Sequence, residues 1–124
     1  MPGRLDGWRI LVIDGDDQVR EVLTEALEIE GARVTTAESA ATALAGLSKG
    51  AIDAVVSDAD LPDASGEVLY VALCARDPTL AERTLFLARD PHSTTVRLLR
   101  TLTVVLPKPL ALAELVSALV GLRP

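Results

Sequence analysis

The chain predicts an α/β fold, a doubly wound five-stranded parallel sheet with five helices, from three features of its 124 residues. Short apolar, β-rich runs alternate with longer segments of helical period from end to end. Turn formers (Asp, Gly, Pro) close these runs and segments at regular intervals. The central runs, Ala54-Val55-Val56-Ser57 and Thr84-Leu85-Phe86-Leu87-Ala88, lack polar alternation, as strands covered on both faces do.

The first strand is Trp8 to Ile13 (W-R-I-L-V-I). Asp14-Gly15-Asp16-Asp17 then turns the chain and supplies a helix N-cap. The helix that follows carries Val19, Val22, Leu23, Ala26 and Leu27 on one face, with Gly31 as its C-cap. Arg33 to Ala37 is shorter and more polar, as an edge strand would be. Ser39 caps a small-residue helix bearing Ala43, Leu44 and Leu47, closed by Gly50. Asp58 stands at the carboxyl end of the third strand, and Pro62, Asp63, Ser65 and Gly66 impose a loop after it. Ser65 or Gly66 opens the third helix, with Val68, Leu69, Ala72 and Leu73 inward. Arg76 to Arg83 reads as a polar loop, Thr84 to Ala88 as the fourth strand, and Arg89-Asp90-Pro91 as its terminator. Ser93 to Thr101 is a short fourth helix with Val96, Leu99 and Leu102 facing in. Thr103 to Leu106 is the fifth strand, ended by Pro107-Lys108-Pro109. Leu112 to Leu122 is the last helix, burying Leu112, Leu115, Val116 and Leu119.

Composition narrows the function. A chain of this length, 49% hydrophobic and 24% charged, supports one core, so residues 1–124 form one domain with its core at about 8–122. The net charge of -6 opposes direct contact with a nucleic-acid backbone and suits cations. Cys74 is the one cysteine, which excludes an internal disulfide. No apolar run has membrane-spanning length, and Met1 to Asp6 lacks the apolar core of a signal peptide, so the expected setting is the cytoplasm, without membrane contact.

Three strand ends carry the charge: Asp14, Asp16 and Asp17 after the first, Asp58 and Asp60 after the third, Lys108 after the fifth. In a doubly wound sheet the first and third strands are neighbours at the switch point, where ligands bind. Clustered carboxylates repel unless a cation lies among them, and oxygen donors suit Mg²⁺. A lysine at the same rim suits an anion such as a phosphoryl group. Any one of these aspartates alone is more simply a cap or a turn residue; as a set they describe phosphoryl transfer to a carboxylate.

These residues resemble the receiver domain of two-component response regulators, the CheY-like family, over nearly the whole chain. The matching stretches are I-L-V-I-D at 10–14, S-D-A-D-L-P at 57–62 with Gly66 following, and L-P-K-P at 106–109. The resemblance implies a flavodoxin-like strand order of 2-1-3-4-5. It implies Asp58 as phosphoacceptor, Asp14 as a Mg²⁺ ligand, Lys108 as the phosphoryl contact and a cis peptide before Pro109. It also implies a histidine kinase or phosphotransfer protein as donor. An output domain or protein partner would engage the face made by the fourth predicted helix, the fifth strand and the last helix. A-L-C-A-R-D-P and V-V-L-P-K-P look closest to receivers attached to hybrid histidine kinases.

The departures mark an atypical receiver. Gly15 stands where the family has a second acidic metal ligand, leaving Asp16 and Asp60 as substitutes beside Asp14 and Asp58. Losing one direct carboxylate should weaken Mg²⁺ binding by about 1–3 kcal/mol. Ala88 replaces the hydroxyl residue that ends the fourth strand, Val105 the aromatic switch residue, and Leu110 the aromatic after Lys108-Pro109. Two other readings compete. One is a phosphorylation-independent pseudo-receiver that binds a protein partner. The other is a haloacid-dehalogenase-like phosphatase using Asp58-Ala59-Asp60, which lacks the further carboxylates such enzymes need.

The remaining candidates read as structural. His92 is a loop residue, Cys74 a small packing residue on the third helix, and Trp8 a lid over the amino-terminal end of the sheet. Tyr70 falls off the inner stripe and is expected at the surface, and Arg97 and Arg100 lie on the outer side of the fourth predicted helix.

Overall fold

The computed structural model describes residues 3–108 and 111–123. The cis-peptide expectation at Pro109 and the expectation at Leu110 lie outside the described residues. The elements are β1 (Arg9–Ile13), α1 (Asp17–Ile29), β2 (Arg33–Ala37), α2 (Ala40–Ala45), β3 (Ala54–Asp58), α3 (Gly66–Arg76), α4 (Pro78–Glu82), β4 (Thr84–Ala88), α5 (Thr94–Leu102), β5 (Val104–Pro107) and α6 (Leu112–Gly121). All pairings are parallel and the strand order is β2-β1-β3-β4-β5, the order expected.

The period-2 alternation of each strand sorts the core into two layers. Ile10 and Val12 of β1, Ala54 and Val56 of β3, and Leu85 and Leu87 of β4 pack with Leu23 and Leu27 of α1 and Leu115, Val116 and Leu119 of α6. Leu11 and Ile13, Val55, and Phe86 and Ala88 point the other way, onto α2, α3, α4 and α5. Leu5, fully buried, and Trp8 join the first layer, and the Arg123 guanidinium lies 5.2 Å from the Trp8 ring centroid, within cation–π range.

Six helices stand where five were expected among the described residues. The stretch read as a polar loop contains α4, because Asp77 accepts a hydrogen bond from the Leu80 N–H at 3.1 Å and Pro78 occupies the first turn. Its anchors, Leu80 and Ala81, are both 2% exposed. The helix α2 is shorter than expected: Gly46 caps it, and Gly50 lies in a following turn.

Four expected core residues are exposed instead: Val22, Val68, Leu102 and Leu112. Val68 points out because α3 is apolar nearly all round, and Leu69 and Leu73 take its inward face. Val22 and Leu112 line opposite walls of an open groove between α1 and α6, and Leu102 is the last residue of α5. Tyr70, expected outside, is half-buried against the α3 layer, and Cys74, expected as packing, is exposed.

Gly66 sets how closely α3 approaches the sheet. A β-carbon there would stand 2.9 Å from Leu99 Cδ1 and 3.0 Å from two Phe86 ring carbons. Gly66→Ala should therefore lower stability by about 1–3 kcal/mol, the cost of overpacking a dense core. Urea unfolding checks this: the midpoint should fall with the slope unchanged.

Candidate functional site

The same alternation that builds the core aims the charged residues. Asp14 continues the Ile10–Val12 series past β1, Asp58 continues Ala54–Val56, and Lys108 continues β5 with the parity of Leu106. All three project toward the α1 and α6 side at the carboxyl edge of the sheet. Ile13 pairs with Ser57 across β1 and β3, which puts Asp14 beside Asp58.

The geometry is an amine between two carboxylates. Lys108 Nζ lies 3.0 Å from Asp14 Oδ2 and 3.6 Å from Asp58 Oδ2. The Lys108 backbone N–H donates to the Ala88 carbonyl at 2.8 Å, which continues the β4–β5 ladder past β5 and fixes where the side chain starts. Asp14 is buried, and its Oδ1 accepts from the Asp16 N–H at 2.9 Å. Asp58 Oδ1 accepts from the Asp60 N–H at 3.3 Å. The open cleft above holds about 400 Å³ and is lined by Asp14, Asp16, Asp58 and Asp60, with Gly15 and Pro62 on one wall and Arg89 on another.

Burial pushes the Asp58 carboxyl above the ordinary carboxylate value. Lys108 pulls it part of the way back, while the charges of Asp14 and Asp60 push it further up.

The four carboxylates expected to hold Mg²⁺ do not form one cluster: among the described residues no group of three or more His, Cys, Asp or Glu is placed to hold a metal. Asp16 is turned to α1, where its Oδ1 accepts from the Gln18 N–H at 2.8 Å and the Val19 N–H at 3.3 Å. Asp60 stands exposed at the mouth of the cleft. Asp14 and Asp58 remain as neighbouring hard-oxygen donors. That pair fits Mg²⁺ in its water-rich mode, with one or two carboxylates and the rest of the shell from water or phosphate oxygen. A side chain at position 15 has little room: a β-carbon on Gly15 would lie 2.9 Å from Pro62 Cγ.

Ala88 and Val105, expected as substituted switch positions, are packed as apolar residues. Ala88 is buried among the α3- and α5-side layer, and Val105 is half-buried against the same layer. Three contributors to the rim were not anticipated from sequence. Arg20 Nη1 donates to the Asp14 carbonyl at 2.6 Å, and its other amine pairs with Asp17. Arg89 reaches the cleft from the end of β4. Asp63 accepts from the Ala40 and Ala41 N–H groups, both at 2.9 Å, tying the loop after β3 to the start of α2, and those bonds lower its pKa. The available signals were an arginine six residues past Asp14 on a helix and another directly after a strand end. His92, Arg97 and Arg100 are exposed.

The raised pKa of Asp58 has a stability consequence whose sign is determined. The folded state holds the Asp58 proton more tightly than the unfolded chain does. Its contribution is thus complete below the unfolded value and lost as pH rises through the folded value. At neutral pH the ionised carboxylate is a burden on the fold. Asp58→Asn should be more stable than the parent at pH 7, with the gap closing as pH falls through the carboxylate range. Urea titrations across that range check it, and a less stable Asn variant at pH 7 would mean that the pairing with Lys108 outweighs burial.

The chain matches the response regulator receiver domain family over residues 10–120. It is 32% identical over 109 residues to the transcriptional regulatory protein PrrA of Mycobacterium tuberculosis, covering 88% of this chain and 47% of PrrA. It is 37% identical over 71 residues to the C4-dicarboxylate transport transcriptional regulatory protein DctD of Rhizobium meliloti, covering 57% of this chain and 15% of DctD. The chain thus spans about half the length of PrrA and a smaller share of DctD. The non-phosphorylated HemR receiver domain of Leptospira biflexa superposes with a TM-score of 0.82 at 29% identity, covering 94% of this chain and 98% of that one. The chemotaxis protein CheY4 of Vibrio cholerae has the same fold, with a TM-score of 0.83 at 22% identity over 94% of this chain and 99% of that one. With its parallel sheet in the order β2-β1-β3-β4-β5 and its acidic notch at the switch point, this chain belongs to the response regulator receiver domain family of two-component signalling.

Proposed function

We propose that Asp58 accepts a phosphoryl group from the phosphohistidine of a partner kinase or phosphotransfer protein. The observation that carries this reading is the Lys108 ammonium, 3.6 Å from Asp58 Oδ2 and 3.0 Å from Asp14 Oδ2. An amine so placed can turn from the carboxylates to the oxygens of an incoming phosphoryl group. An ionised Asp58 oxygen attacks phosphorus, an O–P bond forms, and the P–N bond of the phosphohistidine breaks with its electron pair returning to the imidazole. Water later hydrolyses the acyl phosphate, so any turnover acts on the domain itself.

Mg²⁺, when bound, would neutralise phosphoryl oxygens, and Asp14 and Asp58 are the residues that would hold it. With two carboxylates rather than three, its affinity is expected to be lower by about 1–3 kcal/mol. Asp14 also keeps the lysine over the notch, and the Asp16 N–H that it accepts fixes its orientation. Ala88 and Val105 provide neither a hydroxyl nor a ring, so the signal leaves by a different conformational route from that of receivers bearing both. Output through a transcriptional partner, in the cytoplasm, is the form favoured by the names of PrrA and DctD, rather than the hybrid-kinase setting. No helix among the described residues is long and apolar enough to cross a membrane.

A second reading, a receiver-like module that binds a partner without phosphorylation, is favoured by the packing of Pro62 over Gly15. One experiment separates the two. With Mg²⁺ and phosphoramidate, intact mass should show one phosphoryl adduct on the parent and none on Asp58→Asn. Lys108→Ala should slow its formation by about 10²-fold, the usual cost of removing one preorganised donor. No adduct at high Mg²⁺ would favour the binding module. Phosphate release over many turnovers would instead favour a phosphatase.

A further inference from the structure

Arg89 is a cation at the mouth of an acidic cleft, yet among the described residues its guanidinium has no ion pair or hydrogen bond. Several other arginines are engaged: Arg9 with Asp53, Arg20 with Asp17, and Arg76 and Arg100 with backbone carbonyls. An unpaired guanidinium lining the same cleft as Asp14, Asp16, Asp58 and Asp60 is an arrangement suited to an anion that arrives later. The register says where that anion would be. Asp58 pairs with Leu87 across β3 and β4, and Ala88 pairs with Pro107 across β4 and β5. Arg89 therefore starts one residue beyond the line joining the Asp58 and Lys108 strands, each about 4.8 Å away in the sheet. It also has the parity of Leu85 and Leu87, which face the α1 and α6 side, the side to which Asp58 and Lys108 project.

We infer that Arg89 is a phosphoryl-contact residue, placing its guanidinium on the phosphoryl oxygens at Asp58 and supplying the donor that the Ala88 methyl cannot. This rests on the reading of Asp58 as phosphoacceptor. Before transfer the phosphoryl oxygens bring negative charge into a cleft that already holds four carboxylates, and Lys108 is already shared between Asp14 and Asp58. A planar, five-donor guanidinium binds two phosphoryl oxygens at once, where a hydroxyl binds one. It also covers the phosphorus from the solvent side, which slows attack by water on the acyl phosphate. Arg89 thus acts on both the rate of phosphorylation and the lifetime of the product.

The test follows adduct formation and decay by intact mass for the intact chain with Mg²⁺ and phosphoramidate, over a range of donor concentrations. Arg89 is exposed, so its substitution leaves the core intact. Arg89→Ala and Arg89→Gln should each form adduct about tenfold more slowly, the cost of one charge-assisted hydrogen bond, and lose it faster. Arg89→Lys should recover part of both effects, and Ala88→Thr in the Arg89→Ala background should recover part of the rate. If the parent forms the Asp58 adduct and Arg89→Ala matches it within twofold in formation and decay, the assignment to Arg89 is wrong and the Asp58 reading stands. If Arg89→Lys loses as much as Arg89→Ala, contact through charge is likewise overturned. If the parent forms no adduct at any donor concentration, both inferences fall together.

Discussion

One ammonium group holds the functional edge of this molecule together. Asp14 and Asp58 end adjacent parallel strands, with the same parity and nearly the same height, so their carboxylates face each other in a partly buried notch. Like charges on neighbouring strand ends repel, and burial adds a further penalty to the ionised form of Asp58. Lys108 answers both, at 3.0 Å and 3.6 Å, from the end of β5, two places from β3 and three from β1 in the sheet. The balance is incomplete, since the pKa of Asp58 stays raised.

Strand parity is the device that makes the convergence possible. Alternate residues of β1, β3 and β4 pack against α1 and α6, and on that side the first residue past β1, Asp14, and the last residue of β3, Asp58, are charged. Nothing about the loops needs special geometry for Asp14 and Asp58 to meet. The loops matter for what is excluded. Pro62 packs over Gly15, and Asp16 turns to cap α1, so a three-carboxylate metal cage does not assemble among the described residues. The same acidic turn can therefore nucleate a helix or complete a metal site, and here the helix claims Asp16.

How far these outcomes were legible varied by residue. The strands, the helix cap at Ser39, a cap within Asp14–Asp17, and the order of the sheet followed from apolar runs, turn residues and the resemblance. The helix at Pro78–Glu82 was hidden by its polar sequence, although Asp77-Pro78 is a helix-start signal in its own right. The inward face of α3 was misjudged at Val68 because apolar residues surround the helix and period alone cannot choose among them. Arg89 reads locally as part of the strand-breaking Arg89-Asp90-Pro91, and nothing local distinguishes a breaker from a rim residue.

What the amino-acid order determined by itself was periodicity and chemistry: which segments are strands, which carboxylates and which lysine stand at their ends, and that Gly15, Ala88 and Val105 cannot do what acid, hydroxyl and ring would do. Those are properties of neighbouring residues, visible without a fold. What only the tertiary structure decided was allocation. Lys108 between two carboxylates, Arg89 to the cleft and Val22 and Leu112 to an open groove all depend on elements distant in the chain. A side chain that can satisfy two partners goes to whichever the packed backbone brings closer, and that distance is set only when the sheet and its helices come together.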